Sequence, residues 1–222
     1  MLLTLTEENY LKAIYHLSED GSTVVSTNAI ADKIETKASS VTDMLKKLAE
    51  KNLITHIKYK GVTLTETGRR TAINIVRKHR LWEVFLVEKL NFSWDEVHDV
   101  AEQLEHIKSP KLIKELDAFL EFPTHDPHGD PIPNANGKIK QTKKIILSNA
   151  QNNINYACVG VIDSSSEFLK YLDKHNISIG TSLKVIDKEK FDLSMTIVIG
   201  DKTMVMSQAI TSNIYVKAHN GQ

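Results

Sequence analysis

Six residues in two short stretches carry the donors on which this sequence's chemistry rests: His79 and Glu83, then His98, Glu102, Glu105 and His106. His79 and Glu83 are four apart, so on a helix they share a face, one that also carries Val76, Leu86 and Leu90. A histidine and a glutamate on an apolar stripe need partners, because burying them unpaired is costly. The second set falls at roughly 0°, 40°, 340° and 80° around a helix axis, so all four project into one sector. Leu104, Ile107 and Val97 or Val100 cover the other side. Two imidazoles and two carboxylates facing a further His and Glu give a mixed nitrogen and oxygen donor set without thiolate. Such donors suit Mn(II), Fe(II), Co(II), Ni(II) or Zn(II). Taken singly, either His/Glu pair also reads as an ordinary helix-surface pair; the six together favour a metal.

Enzyme signatures are missing. The sequence has no His-Glu-x-x-His, no Glu-x-x-His on two helices, and no Gly-x-Ser-x-Gly, Walker or dinucleotide loop. The lone Cys158, in an expected strand, reads as a small core residue rather than a nucleophile. It also excludes a disulfide-stapled scaffold and a multi-cysteine zinc site.

A second constellation points to nucleic acid. Lys37, Lys46, Lys47, Lys51, Lys58 and Lys60 stand against only Asp43 and Glu50 between residues 37 and 60, a basic patch on a chain whose 28 basic and 28 acidic residues otherwise balance. Ser39, Ser40 and Thr42 are short hydroxyl side chains able to reach phosphates and base edges. The candidate DNA contacts are Thr27, Lys37, Ser39, Ser40, Thr42, Lys46, Lys58 and Lys60. Asp43 is repelled by phosphate unless it accepts a bond from a cytosine amino group. A merely solvated face, or a protein-binding winged helix, is the alternative.

The elements that must position these residues follow from periodicity and caps. Thr6 with Glu7 and Glu8 reads as a cap and acidic first turn, followed by Leu11, Ile14, Tyr15 and Leu17 at helical spacing until Asp20-Gly21. Ser26 or Thr27 caps a short second helix. In a third, Val41, Met44, Leu45 and Leu48 form a buried stripe opposite the hydroxyl and basic face, which is the helix-turn-helix pattern. Residues 53 to 65 read as a hairpin, a wing, and Thr65 caps a long helix to about Leu90. Ser93 begins a helix to about Lys108, and Ser109-Pro110 begins another ending near Phe122-Pro123. Pro123, Pro127, Pro131 and Pro133 with Gly129 and Gly137 then mark a linker. Beyond it, 157–161, 182–186, 195–199, 204–206 and 213–216 read as strands of a small barrel, with a helix over 166–174.

The fold class expected is therefore α+β, mainly α. Its units are an N-terminal winged helix-turn-helix (1–73), a helical metal-binding domain (74–137) and a small C-terminal β-barrel with its preceding linker (138–222). With 222 residues, 41% hydrophobic and 25% charged, the chain has globular composition. No apolar run approaches the roughly 18 residues of a membrane span, and the N-terminus lacks the basic start of a secretory signal, so cytoplasmic residence is expected.

On these motifs the chain resembles the diphtheria toxin repressor family of iron- and manganese-dependent repressors. The resemblance rests on Leu64-Thr65-Glu66-Thr67-Gly68, on residues 77–83 from Arg77 to Glu83, on 97–106 from Val97 to His106, and on the Pro127-His128-Gly129-Asp130-Pro131-Ile132-Pro133 loop. It implies a homodimeric repressor of metal-uptake genes, dimerising through the helical domain (74–137) and ending in an SH3-like β-barrel (138–222), activated by Mn2+ or Fe2+ at two sites per subunit and reading a palindromic double-stranded DNA operator, with no enzyme activity and no membrane partner. His79, Glu83 and His98 match an ancillary position, with Glu167 the candidate from the C-terminal domain. Glu102, Glu105 and His106 match a regulatory position that Asn9 completes. The iron-sensing branch has a cysteine where Glu102 stands, so the chain looks like the manganese branch; that branch has an aspartate where Asn9 stands, so either metal remains in play. A metal-independent winged-helix regulator and a metalloenzyme are the competing readings.

Overall fold

A computed structural model describes residues 3–19, 21–140 and 143–219. Three helices, α1 (Leu5–Leu17), α2 (Thr27–Lys33) and α3 (Ala38–Glu50), precede a two-stranded wing, β1 (Ile54–Ile57) and β2 (Gly61–Leu64). The cap of α1 is Thr4 rather than Thr6. Thr4 Oγ1 accepts from the Glu7 amide while Glu7 returns a carboxylate to the Thr4 amide, the reciprocal pair that a Thr-x-x-Glu spacing permits. Asp20, expected at the stop of this helix, lies outside the described residues. Val41, Leu45 and Leu48 of α3 are buried as expected, with Met44 packed beside them. In the wing Ile54 pairs Leu64 and Ile57 pairs Gly61. Gly61 has φ +136°, and a Cβ there would lie 2.0 Å from the Val25 carbonyl oxygen, so only glycine lets the wing close against the chain entering α2.

The long helix α4 (Glu66–Leu90) is capped by Thr65 and packs along α1 and α5 (Val97–Leu104). The fifth helix is shorter at both ends than its periodicity suggests: residues 94–96 form turns and Glu105 is already the C-cap. Further on, Pro110 biases Ser109 to an extended conformation, φ −121° and ψ 99°, and starts α6 (Pro110–Phe119).

After the proline-rich loop, strands β3 (Ile145–Ile146), β4 (Asn155–Val161), β5 (Ser182–Lys188), β6 (Met195–Ile199), β7 (Lys202–Met206) and β8 (Ile214–Ala218) form one antiparallel sheet in the order β3-β8-β4-β5-β6-β7. Helices α7 (Ser166–Lys174) and α8 (Gln208–Thr211) join it. The expected strands are all present, together with the two-residue β3, which is too short to show a pattern. The sheet has β3 and β7 as its outer strands, so a closed barrel is not what the pairing describes.

Three apolar clusters hold the chain. One packs α1–α3, the wing and the start of α4; one packs the rest of α4 with α5, α6 and Ile132; the third fills the sheet and α7. Trp94 belongs to the third although it precedes α5, and its indole Nε1 donates to Asp173 Oδ2 at 3.1 Å. It therefore locks the helical region to the C-terminal sheet. Among the described residues, no helix is long and apolar enough to cross a membrane.

Candidate metal centre and nucleic-acid interface

The polar residues of α1, α4, α5 and the proline-rich loop meet in one chain of contacts. His79 lies at its centre, buried, with Nδ1 2.6 Å from Glu105 Oε2 and Nε2 3.0 Å from Glu83 Oε1. Burial opposes a charge on this imidazole, but the hydrogen bonds it donates to Glu105 and Glu83 outweigh it and raise its pKa to about 9. Burial likewise works against charge on Glu83 and Glu105, yet hydrogen bonds hold both below the usual carboxylate range, from His79 and His98 to Glu83 and from His79 to Glu105. His98 spans the pair on the open side, Nδ1 3.6 Å from Glu83 Oε1 and Nε2 3.5 Å from Glu102 Oε1. His106, just past the end of α5, places Nδ1 2.6 Å from Glu8 Oε2 and Nε2 3.9 Å from Glu105 Oε1.

Behind Glu83 lies a second set that helical periodicity could not show. Asp126 and His128 come from the proline-rich loop and are buried. Asp126 Oδ1 accepts from the amides of His128 and Asp130, each at 2.9 Å, and Oδ2 lies 3.4 Å from Arg80 Nε. Burial, then the charges of Glu83 and Asp130, push the Asp126 carboxyl well up from its ordinary range. His128 Nε2 donates to the Trp94 carbonyl at 2.8 Å, so in the neutral tautomer the Nδ1 lone pair faces Glu83 Oε1, 3.6 Å away. The loop is pinned by Gly129, whose φ is +82° and whose Cβ, if present, would lie 2.1 Å from the Val159 carbonyl oxygen.

Among the described residues, two trios have ligand atoms all within 4.8 Å of one another: His79, Glu83 and His98, and Glu83, Asp126 and His128. Glu83 belongs to both. A cavity of about 110 Å³ adjoins them, and Val161, Ile162 and Ser164 close it from the C-terminal side. The residues fit a divalent cation. Glu105 Oε1 is buried without a hydrogen-bond partner, an acceptor whose desolvation a cation would offset, and the donors are imidazole nitrogen and carboxylate oxygen throughout.

Three sequence-family profiles match in succession. Residues 2–62 match the iron-dependent repressor N-terminal DNA binding domain, 65–134 the iron-dependent repressor metal binding and dimerisation domain, and 146–218 the FeoA domain. A solved structure described as a manganese-dependent transcriptional repressor in complex with manganese is 36% identical, covers 96% of this chain and 100% of its own, and superposes with a TM-score of 0.84. The chain belongs to the diphtheria toxin repressor family. The manganese regulator SloR is a further structural relative, 33% identical over 98% of this chain and all of its own, with a TM-score of 0.74. Iron-dependent repressor IdeR of Mycobacterium tuberculosis is 36% identical over 128 residues, 58% of this chain and 55% of that protein, so the match spans about half the length of that curated relative. The diphtheria toxin repressor of Corynebacterium diphtheriae is 26% identical over 195 residues, 83% of this chain and 85% of its own.

Of the ligand set that the family resemblance implies, Asn9 and Glu167 stand outside this chain of contacts. Asn9 is exposed, and its neighbour Glu8, buried, faces His106 instead. Glu167 is exposed in the first turn of α7, outside the lining of the cavity. Glu102, Glu105 and His106 share the expected sector, but their ligand atoms do not close on a single point as the two trios do. Asp126 and His128 were not named as ligands from the sequence, because a loop has no period from which to read a face; the only available signal was an acid and a histidine beside a turn-forming glycine.

On the face expected to meet DNA, Lys37 stands at the N-cap position of α3 without a side-chain cap bond, and Lys37, Ser39, Ser40, Thr42 and Lys46 are exposed along it, with Thr27 half-buried at the start of α2. Lys46 Nζ lies 3.2 Å from Asp43 Oδ1, which offsets the repulsion Asp43 would present to phosphate. Lys58 and Lys60 flank the wing tip, where Tyr59 is almost fully exposed and carries the Lys58 ammonium 5.0 Å from its ring centroid.

Proposed function

We propose that this protein is a metal-activated, DNA-binding transcriptional repressor that acts in the cytoplasm as a homodimer and controls the supply of its activating metal, Mn(II) or Fe(II). The observation that carries the reading is the Glu8–His106 contact at 2.6 Å. It joins α1, the first helix of the DNA-binding unit, to the end of α5 in the metal-binding unit. A cation held by Glu8, Glu102, Glu105 and His106 fixes how the reading helix α3 is carried relative to that unit. Glu83 anchors a second cation, with His79 and His98 on one side or Asp126 and His128 on the other. Metal-dependent binding then follows from linkage, to the extent that the cation prefers the DNA-competent arrangement.

The units are read as 1–73, 74–137 and 138–222, the last curling as an SH3-like barrel. A dimer is supported by exposed apolar side chains on the helical unit, Phe119 at 61% and Phe122 at 66% together with Leu90 and Leu112. A two-fold dimer reads half-sites of a palindrome spaced by helical turns. Thr27, Lys37, Ser39, Ser40, Thr42, Lys46, Lys58 and Lys60 make the contacts. The family consists of repressors rather than enzymes.

The test is operator affinity measured with and without Mn(II) or Fe(II) under anaerobic conditions. Metal is expected to tighten binding by about 5- to 150-fold. Equal affinities in both conditions would leave a metal-independent winged-helix regulator in its place.

A further inference from the structure

Lys12 lies one helical turn after Glu8 on α1, so the two side chains leave the same face of the helix. Its ammonium is 2.7 Å from Glu105 Oε2, 3.3 Å from Glu102 Oε1 and 3.3 Å from His79 Nδ1, and the side chain is only 13% exposed. Two of those three groups are carboxylates that the proposed regulatory position needs. The ammonium is a compact cation with three donors, and here it meets two carboxylates of the α5 region beside the His79 ring of α4. It therefore occupies the electrostatic role of a metal ion in the midst of the metal's own ligands.

We propose that Lys12 is a resident cation, tethered to α1, that competes with the divalent metal for Glu102 and Glu105 and so sets the metal concentration at which the protein responds. The inference rests on the metal-sensor reading above. Lys12 does two things at once. It keeps Glu102 and Glu105 gathered when no metal is present, and it opposes a divalent ion that uses Glu102 Oε1 and Glu105 Oε2, because two cations held against the same oxygens repel each other. Metal entry thus weakens one link between α1 and α5, the Lys12 ion pair, and strengthens the other, which Glu8 already makes to His106. A site that is free of its lysine only about one-tenth of the time binds metal about tenfold more weakly than its intrinsic affinity.

The experiment is Mn(II) affinity of the full-length protein, measured by competition with a fluorescent chelator, for the parent, Lys12→Gln, Lys12→Met and Lys12→Arg. A circular dichroism spectrum and melting curve without metal accompany each. Lys12→Gln and Lys12→Met are expected to bind Mn(II) about tenfold more tightly than the parent, while Lys12→Arg, which keeps the charge, stays within about threefold. Folded Gln and Met variants that bind as the parent does, or more weakly, overturn the proposal and leave the sensor reading standing. If the parent itself binds no Mn(II), both fall together. Glutamine and methionine differ in polarity, so whichever folds with the parent's spectrum supplies the reading.

Discussion

Asp126 and His128 are held in place by backbone, whereas Glu8, Lys12, Glu102 and His106 meet through side chains alone. On the loop side each group has a fixed second partner: Asp126 Oδ1 accepts two amides, and His128 donates to the Trp94 carbonyl. Trp94 in turn is packed into the C-terminal core. On the α1 side the contacts cross between two structural units, Glu102 is 51% exposed, and one acceptor of Glu105 is unmet. One half of the donor cluster is preorganised and the other is adjustable. Preorganisation favours affinity, and adjustability is what allows a bound ion to be felt by the DNA-reading helices.

The contrast is broken most directly at Gly129. Gly129→Ala adds a Cβ into the Val159 carbonyl at a left-handed φ, and both effects cost stability. A loss of about 2 to 4 kcal/mol in chemical denaturation is expected, together with weaker metal binding at the Glu83 trio. Unchanged stability would mean that the loop is not the rigid half.

Next in size is the α1 side. Glu105→Ala and His106→Ala are each expected to remove the metal-dependent gain in operator affinity, about 1 to 3 kcal/mol, while leaving metal-free DNA binding near the parent's. Fluorescence anisotropy with and without Mn(II) reads both terms. Retention of the gain in both variants would move the coupling to the loop side and reverse the comparison.

His128→Ala sharpens the distinction further. It is expected to weaken one equivalent of Mn(II) by about tenfold and to leave the other equivalent within error in isothermal titration. If both equivalents weaken together, the two halves act as a single site joined through Glu83.

How much of this was legible in the sequence follows the same division. His79 with Glu83 and His98 with Glu102 could be read because residues four apart on a helix must share a face, and the structure does bring these pairs within 3.0 and 3.5 Å. The α1 residue that faces His106 is Glu8, one position and a rotation of roughly 100° from the expected Asn9. Tyr10, Leu11 and Ile14 fix which face of α1 turns inward, and that face carries Glu8 and Lys12 while Asn9 points to solvent. Lys12 had no signal at all: a lysine on an amphipathic helix reads as solvated until the acids of a distant helix are placed beside it. Glu167 depended on where the C-terminal domain docks, which is set by Trp94 and Asp173 rather than by any local pattern.

The smallest predicted effect lies farthest from the donor cluster, in the wing. Lys58 and Lys60 are exposed beside Tyr59, and each is read as neutralising one phosphate. Lys58→Ala or Lys60→Ala should lower affinity alike for operator and unrelated DNA, and should flatten the dependence of log affinity on log salt by about one unit per lost contact. Because the wing touches none of the metal residues, the ratio of metal-bound to metal-free affinity should stay that of the parent. An altered ratio would show that the wing senses the α1 arrangement, and the adjustable half of the molecule would then extend from Glu105 to the DNA itself.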